Sequence, residues 1–129
     1  FIKPTQKERE SAVHLKLSVL SSVVKGKRLV LIDDSIVRGT TMASLIRMLK
    51  DAGATEVHVR ISSPPFLFPC YYGTDVPSND QLIASSHTAA EICASIGADS
   101  LGYMKLEDLK QMTGDLPLCK ACFDSHYPV

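Results

Sequence analysis

The sequence predicts an α/β fold built on a parallel sheet, and three stretches carry that prediction. Arg28 to Asp33 (RLVLID) is a continuous apolar run of strand length, the pattern of a strand covered on both faces. Met42, Leu45, Ile46, Met48 and Leu49 then recur at helical spacing. Glu56 to Ser62 alternates Val57, Val59 and Ile61 with His58 and Arg60, which reads as the next strand. Strand, helix and strand in such close succession make a βαβ unit with parallel strands and a right-handed crossover.

The remaining elements follow in order. Residues 5 to 23 carry Val13, Leu15, Leu17, Val19, Leu20 and Val23 behind a charged beginning, and Thr5 with Glu8 fits a capping box after Pro4. A helix is expected there, ended by Lys25-Gly26-Lys27. Asp51-Ala52-Gly53 stops the helix of the βαβ unit. The stretch PPFLFPCYYGTDVPSND is proline-rich and irregular. Short helices are expected over 79–84 and 88–96, the second ending at Gly97. A strand is expected over Ser100 to Met104, a helix near Leu106 to Met112, and a cysteine-bearing loop as the tail. This divides the chain into 1–26, a βαβ unit over 27–63, and an irregular and helical part over 64–129.

With 129 residues the chain suffices for one domain. Fourteen basic and fourteen acidic residues cancel, and no basic block suggests a nucleic-acid or anionic-membrane partner. No apolar run approaches the ~20 residues of a membrane span, and no secretory signal opens the chain. A cytoplasmic protein is therefore expected. Phe1 in place of an initiator Met, and an end just after a cysteine pair, suggest a fragment of something longer.

Residues 29–41 (LVLIDDSIVRGTT) hold the chemistry. In an open parallel sheet, ligands sit beyond the carboxyl ends of the strands, and Asp33 and Asp34 lie at such an end. The loop from Ser35 to Thr41 runs into a helix whose first N–H groups lack internal partners. Gly39 permits a tight turn, successive N–H groups can form an anion-binding nest, and Thr40 and Thr41 add hydroxyls. Carboxylates beside a phosphate cradle suit a ligand with a phosphate and vicinal hydroxyls, with or without Mg²⁺. The plainer alternative is a solvated strand end and a helix cap, which would win for an isolated acidic pair. Neither a Walker loop nor a G-x-G-x-x-G is present.

The ordered whole resembles the phosphoribosylpyrophosphate (PRPP) signature of the type I phosphoribosyltransferases. The resemblance implies that Asp33 and Asp34 bind ribose hydroxyls and the Mg²⁺ environment. It implies equally that Ser35, Ile36, Val37, Arg38, Gly39, Thr40 and Thr41 cradle the 5-phosphate. The variant DDSIVRGTT is similar to the glutamine PRPP amidotransferase branch, as are FIKPTQKER, DAGATEVHVRISSPP, PCYYGTD, LIASSH and EICASIGADSL, so the likeness spans essentially the whole chain. That branch implies the C-terminal portion of a type I phosphoribosyltransferase domain. Its reaction turns PRPP, glutamine and water into 5-phosphoribosylamine, pyrophosphate and glutamate. Ammonia would come from an N-terminal glutaminase domain that this chain lacks, together with the cysteine nucleophile, so the fragment alone is expected to be inactive. A homo-oligomer and inhibition by purine nucleotides are further expectations of the full-length protein. Gln6 and Arg9 match positions near the family's flexible loop.

Four cysteines are present, with Cys119 and Cys122 in a C-x-x-C that alone fits half a metal site, a redox pair or coincidence. A subgroup of these amidotransferases carries a [4Fe–4S] cluster, and the resemblance places Cys70, Cys119 and Cys122 among its ligands, with the fourth upstream of Phe1. Cys93 reads as a small buried hydrophobe. None of His14, His58, His87 and His126 has an evident partner that would make it a general base. Two other readings compete. A PRPP-binding regulatory module would need a DNA-binding segment and a basic face, and a salvage phosphoribosyltransferase would not need the C-x-x-C.

Overall fold

The computed structural model describes residues 5, 7, 21–76 and 78–128. In chain order the elements are α1 (Ser21–Val24), β1 (Arg28–Asp33), α2 (Thr40–Asp51), β2 (Glu56–Ile61), two 3-10 turns (Asn79–Gln81 and Ile83–Ser85), α3 (Ala89–Ile96), β3 (Ser100–Tyr103), α4 (Asp108–Thr113) and α5 (Ala121–Asp124). The expected βαβ unit is there, and β3 extends it into a three-stranded sheet in the order β1-β2-β3. Both pairings are parallel, with Leu29 opposite Val57, Asp33 opposite Ile61, and His58 opposite Ser100. Most of the helix expected over 5–23 lies outside the described residues, and its last turn is α1.

The period-two pattern of β2 decides where the core sits. Val57, Val59 and Ile61 point to one face and are buried, packed against Met42, Ile46 and Leu49 of α2 and Ile92 and Ile96 of α3. Those α2 residues lie four and three apart, so they form one stripe along the helix. Two left-handed glycines close the helices, Gly53 (φ 103°) beyond α2 and Gly97 (φ 76°) at the end of α3. Thr88 caps α3 by accepting from the Glu91 N–H at 3.2 Å. Asp99 ties the end of this layer to the sheet. Its carboxylate accepts from the Val57 N–H at 2.7 Å and lies 3.4 Å from Lys50 Nζ. The Val57 N–H first, and Lys50 after it, hold this carboxyl below its ordinary range.

Four expectations are corrected. Among the described residues β1 is covered on one face: Leu29 and Leu31 face the core, but Val30 and Ile32 are 66% and 73% exposed. Among the described residues β1 is an edge strand with a neighbour on one side only, so its continuous apolar run outstrips the cover these residues supply. Residues 79–85 form two 3-10 turns in place of one α-helix; the Ser85 hydroxyl donates to Leu82 O at 2.7 Å and Asn79 O at 3.0 Å, closing the turns locally. The helix near 106–112 begins later, at Asp108. The tail contains a turn of helix, α5, whose Ala121 is buried.

A second, smaller core lies beside the sheet. Phe66, Val76 and Leu82 form its buried centre, with Val37, Cys70, Cys122 and Phe123 packed around them. The irregular stretch and the tail are held together here. Leu67 and Phe68 donate their N–H groups to Cys122 O, and Tyr127 Oη donates to Pro69 O at 2.8 Å. The Tyr71 and Tyr127 rings meet at a tilt of 39° with their centres 5.0 Å apart. Prolines and short turns thus fold by sharing one apolar cluster rather than by a regular ladder.

Ile46, 1% exposed at the centre of the α2 stripe, reports on the main core. Ile46→Ala is expected to cost about 2–5 kcal/mol in urea denaturation, since the cavity it leaves is lined by rigid neighbours. A loss below about 1 kcal/mol would mean that the α2–β2 contact is not packed as described.

Candidate functional site

β1 delivers Asp33 to the carboxyl end of the sheet, where Asp33 O accepts from the Ser62 N–H at 2.9 Å beyond β2. The two adjacent carboxylates are separated by their own hydrogen bonds. Asp33 Oδ1 accepts from the Asp34 N–H, and Asp34 Oδ1 accepts from the Ser35 hydroxyl, each at 2.9 Å. Like charges are tolerated because each acid has a local donor and an outward edge toward water. The second oxygen of each acid has no donor among the described residues, which leaves two acceptor edges for ligand hydroxyls or a cation.

The loop that follows is fixed by its side chains and open along its backbone. Ile36 is buried in the main core, and the next residue, Val37, packs on the second one. The Ile83 N–H donates to Val37 O at 2.9 Å, and the Arg38 guanidinium donates to Gln81 Oε1. Gly39 sits at φ 85° and ψ −12° directly before α2. Its backbone angles, rather than a lack of space, demand glycine, because an added Cβ would meet Ile83 and Ile96 only at ordinary contact distances.

The consequence is an array of free donors. None of the described residues accepts from the backbone N–H groups of Ile36 to Met42. Gly39 supplies no side-chain cap, and the first turn of α2 carries no acidic residue to occupy its positive end. Asp33, Asp34, Ser35, Ile36, Val37, Arg38, Gly39, Thr40 and Thr41, all expected at one site, line a single cavity of about 340 Å³ together with Met42. Ile36 lines it although its side chain is buried in the main core, and Val37 packs partly buried against the second. An oxyanion flanked by two carboxylates at the mouth of a parallel sheet is the ligand this arrangement suits.

The comparisons with known proteins agree with that geometry. The phosphoribosyl transferase domain family matches residues 3–62. An amidophosphoribosyltransferase of Synechocystis sp. is 51% identical over all of this chain, and one of Methanocaldococcus jannaschii is 53% identical over 99% of it. The solved glutamine PRPP amidotransferase of Bacillus subtilis, complexed with ADP and GMP, superposes with a TM-score of 0.81 at 51% identity, covering 99% of this chain. Over nearly all of its length the chain is similar to amidophosphoribosyltransferases. It spans about a quarter of the length of the curated relatives, 26% and 27% of the two just named, and 30% of the solved one.

Three cysteines that the amidophosphoribosyltransferase likeness singles out share one corner. Cys70 pairs with Val76 in an isolated bridge, and the N–H of Gly73, then those of Tyr72 and Thr74, bring its thiol down to about 7. Such a ring of amides is how a protein favours a thiolate. Burial raises the Cys122 thiol, and the charges of Cys70 and Cys119 raise it further, so the three lie within electrostatic reach of one another. Among the described residues, however, no three His, Cys, Asp or Glu side chains close around a metal position. The donor chemistry fits a thiolate-bound metal group, but these thiols do not complete one among the described residues. Cys93 is elsewhere, donating to Ala98 O at 3.4 Å, and is half-buried where the sequence suggested a fully buried side chain.

His58 has partners that the sequence did not reveal. Its Nε2 lies 2.7 Å from Glu56 Oε2 and its Nδ1 lies 2.7 Å from Ser100 Oγ. Arg28 donates to the same Glu56 oxygen, and Arg60 donates to Ser100 Oγ at 3.0 Å while lying across Gly102. A polar ladder therefore crosses all three strands on the face opposite the core. A strand alternation of charged and apolar residues was the only signal for it.

Cys70 makes the corner testable by pH. In apo protein its alkylation by iodoacetamide should rise to half of its plateau near pH 7, where the amide-stabilised thiolate forms. Cys122 should react only at higher pH, above the ordinary thiol value of 9.0. Equal pH profiles in a site-resolved mass-spectrometric assay would contradict the amide ring.

Proposed function

We propose that this chain is the PRPP-binding part of an amidophosphoribosyltransferase, contributing to the first committed step of purine synthesis. The observation that carries this reading is the run of unpaired N–H groups at the start of α2 beside two carboxylate edges. In the reaction, ammonia from glutamine attacks C1 of the ribose, the C1–O bond to pyrophosphate breaks, and 5-phosphoribosylamine results. The glutamine-hydrolysing part would lie in the length of the relatives that this chain does not span.

The residues have distinct tasks in this account. The N–H groups of Ile36 to Thr41 and the hydroxyls of Thr40 and Thr41 hold the 5-phosphate. Asp33 and Asp34 accept from the ribose hydroxyls, and fixing phosphate and sugar together orients C1 toward the nucleophile. Mg²⁺ would be held by Asp33 and Asp34 with substrate and water completing its shell, since the described residues group no third metal-binding side chain with them. Bound in that way, it would neutralise charge on the departing pyrophosphate. A [4Fe–4S] cluster would take Cys70, Cys119 and Cys122 with one further thiolate from outside this chain, and its place in the second core points to a structural role. Purine nucleotides would act as inhibitors, a reading supported by the similar Bacillus subtilis structure, which is complexed with ADP and GMP. A cytoplasmic setting and assembly into a homo-oligomer complete the reading. No described helix is long and apolar enough to cross a membrane.

Calorimetric titration with PRPP and Mg²⁺ tests the site. The Asp33→Asn, Asp34→Asn double variant should bind about 100-fold more weakly, because two charge-assisted acceptors are lost while the loop geometry remains. Equal affinity in the two proteins would remove the acids from the site.

A further inference from the structure

The phosphate loop is held from one side by a segment that does not line its cavity. Three contacts reach it from residues 81–83: Gln81 Oε1 accepts from the Arg38 guanidinium, the Ile83 N–H donates to Val37 O at 2.9 Å, and Ile83 Cδ1 stands where a side chain on Gly39 would point. Behind them, the Ser85 hydroxyl closes the turns and buried Leu82 anchors them in the second core. Asn79 to Ser85 is therefore a rigid brace.

From this geometry we infer that Gln81 is a positioning residue of the phosphate loop, acting through Arg38. The inference deepens the PRPP reading and rests on it for the ligand. A guanidinium has five donors and no acceptor, and it lies within a few residues of two carboxylates. Left without Gln81, it would find Asp33 or Asp34, or fold over the amides that the phosphate must reach. Gln81 supplies a neutral acceptor on the far side. It thereby keeps the charge of Arg38 beside the cradle without letting it close the cradle. An amide oxygen suffices for this, and a carboxylate at the same place would serve as well, since it also accepts from the guanidinium.

The test uses the intact protein that carries this chain, with two readouts. Gln81→Ala should weaken Mg²⁺–PRPP binding about tenfold, the scale of one charge-assisted hydrogen bond. It should also speed hydrogen exchange at the amides of Val37 to Gly39 without changing exchange in β2 or α3. Gln81→Glu should leave both close to the unaltered protein. Unchanged affinity and exchange in Gln81→Ala would overturn the inference, as would faster exchange throughout the chain, which would mark Gln81 as merely structural. Altered loop exchange in a protein that never binds PRPP would overturn the PRPP reading and keep the brace. Normal PRPP binding with a silent loop would do the reverse.

Discussion

Ile36 and Val37 are neighbours in the chain, yet Ile36 is buried in the main core while Val37, partly buried, packs against the second. That constraint fixes the peptide between the sheet and the irregular half of the molecule. The loop cannot collapse onto its own backbone donors, because the residues that would have to turn are held on both sides. Gly39 then carries the chain into α2 through a left-handed angle, and the helix begins without a cap. The unpaired N–H groups are the product of these two facts. Elsewhere such groups would be a cost, and here they are the site.

The second core also explains why the proline-rich stretch and the tail are ordered. Neither carries a repeating pattern, but both contribute to one cluster, and that cluster includes the loop residue Val37 and the thiols Cys70 and Cys122. The cysteine corner and the phosphate cradle are therefore two sides of one packed unit. Anything bound by the thiols would stiffen the wall against which the cradle is built. Leu82, between Gln81 and Ile83, is buried in that wall.

Much of this could be read from the residues. The strand–helix–strand unit follows from a continuous apolar run, an i, i+3, i+4 stripe and an alternation, which are local signals with strong periods. The loop could be placed because β1 ends in charge and glycine follows. Other features depend on contacts distant in sequence. Nothing local in Glu56 or Ser100 announces that His58 will meet both, because the register of three strands decides it. The same holds for Gln81, forty-three positions from Arg38. The apolar run of β1 suggested cover on two faces, whereas Val30 and Ile32 stand exposed among the described residues, since cover depends on which other elements are present. The 3-10 turns escaped because their apolar content, Leu82 and Ile83, fits a helix as well as a pair of tight turns.

The account depends most on the backbone of the loop, rather than on any charged side chain, being the grip on phosphate. The direct measurement is a titration with ribose 5-phosphate followed in the proton–nitrogen correlation spectrum. Saturable downfield shifts of the amide protons from Arg38 to Thr41 are predicted, as each N–H gains an anionic acceptor. If those amides stay still while the changes gather elsewhere, for example around Lys110 and Lys120, the cradle is not where the phosphate binds.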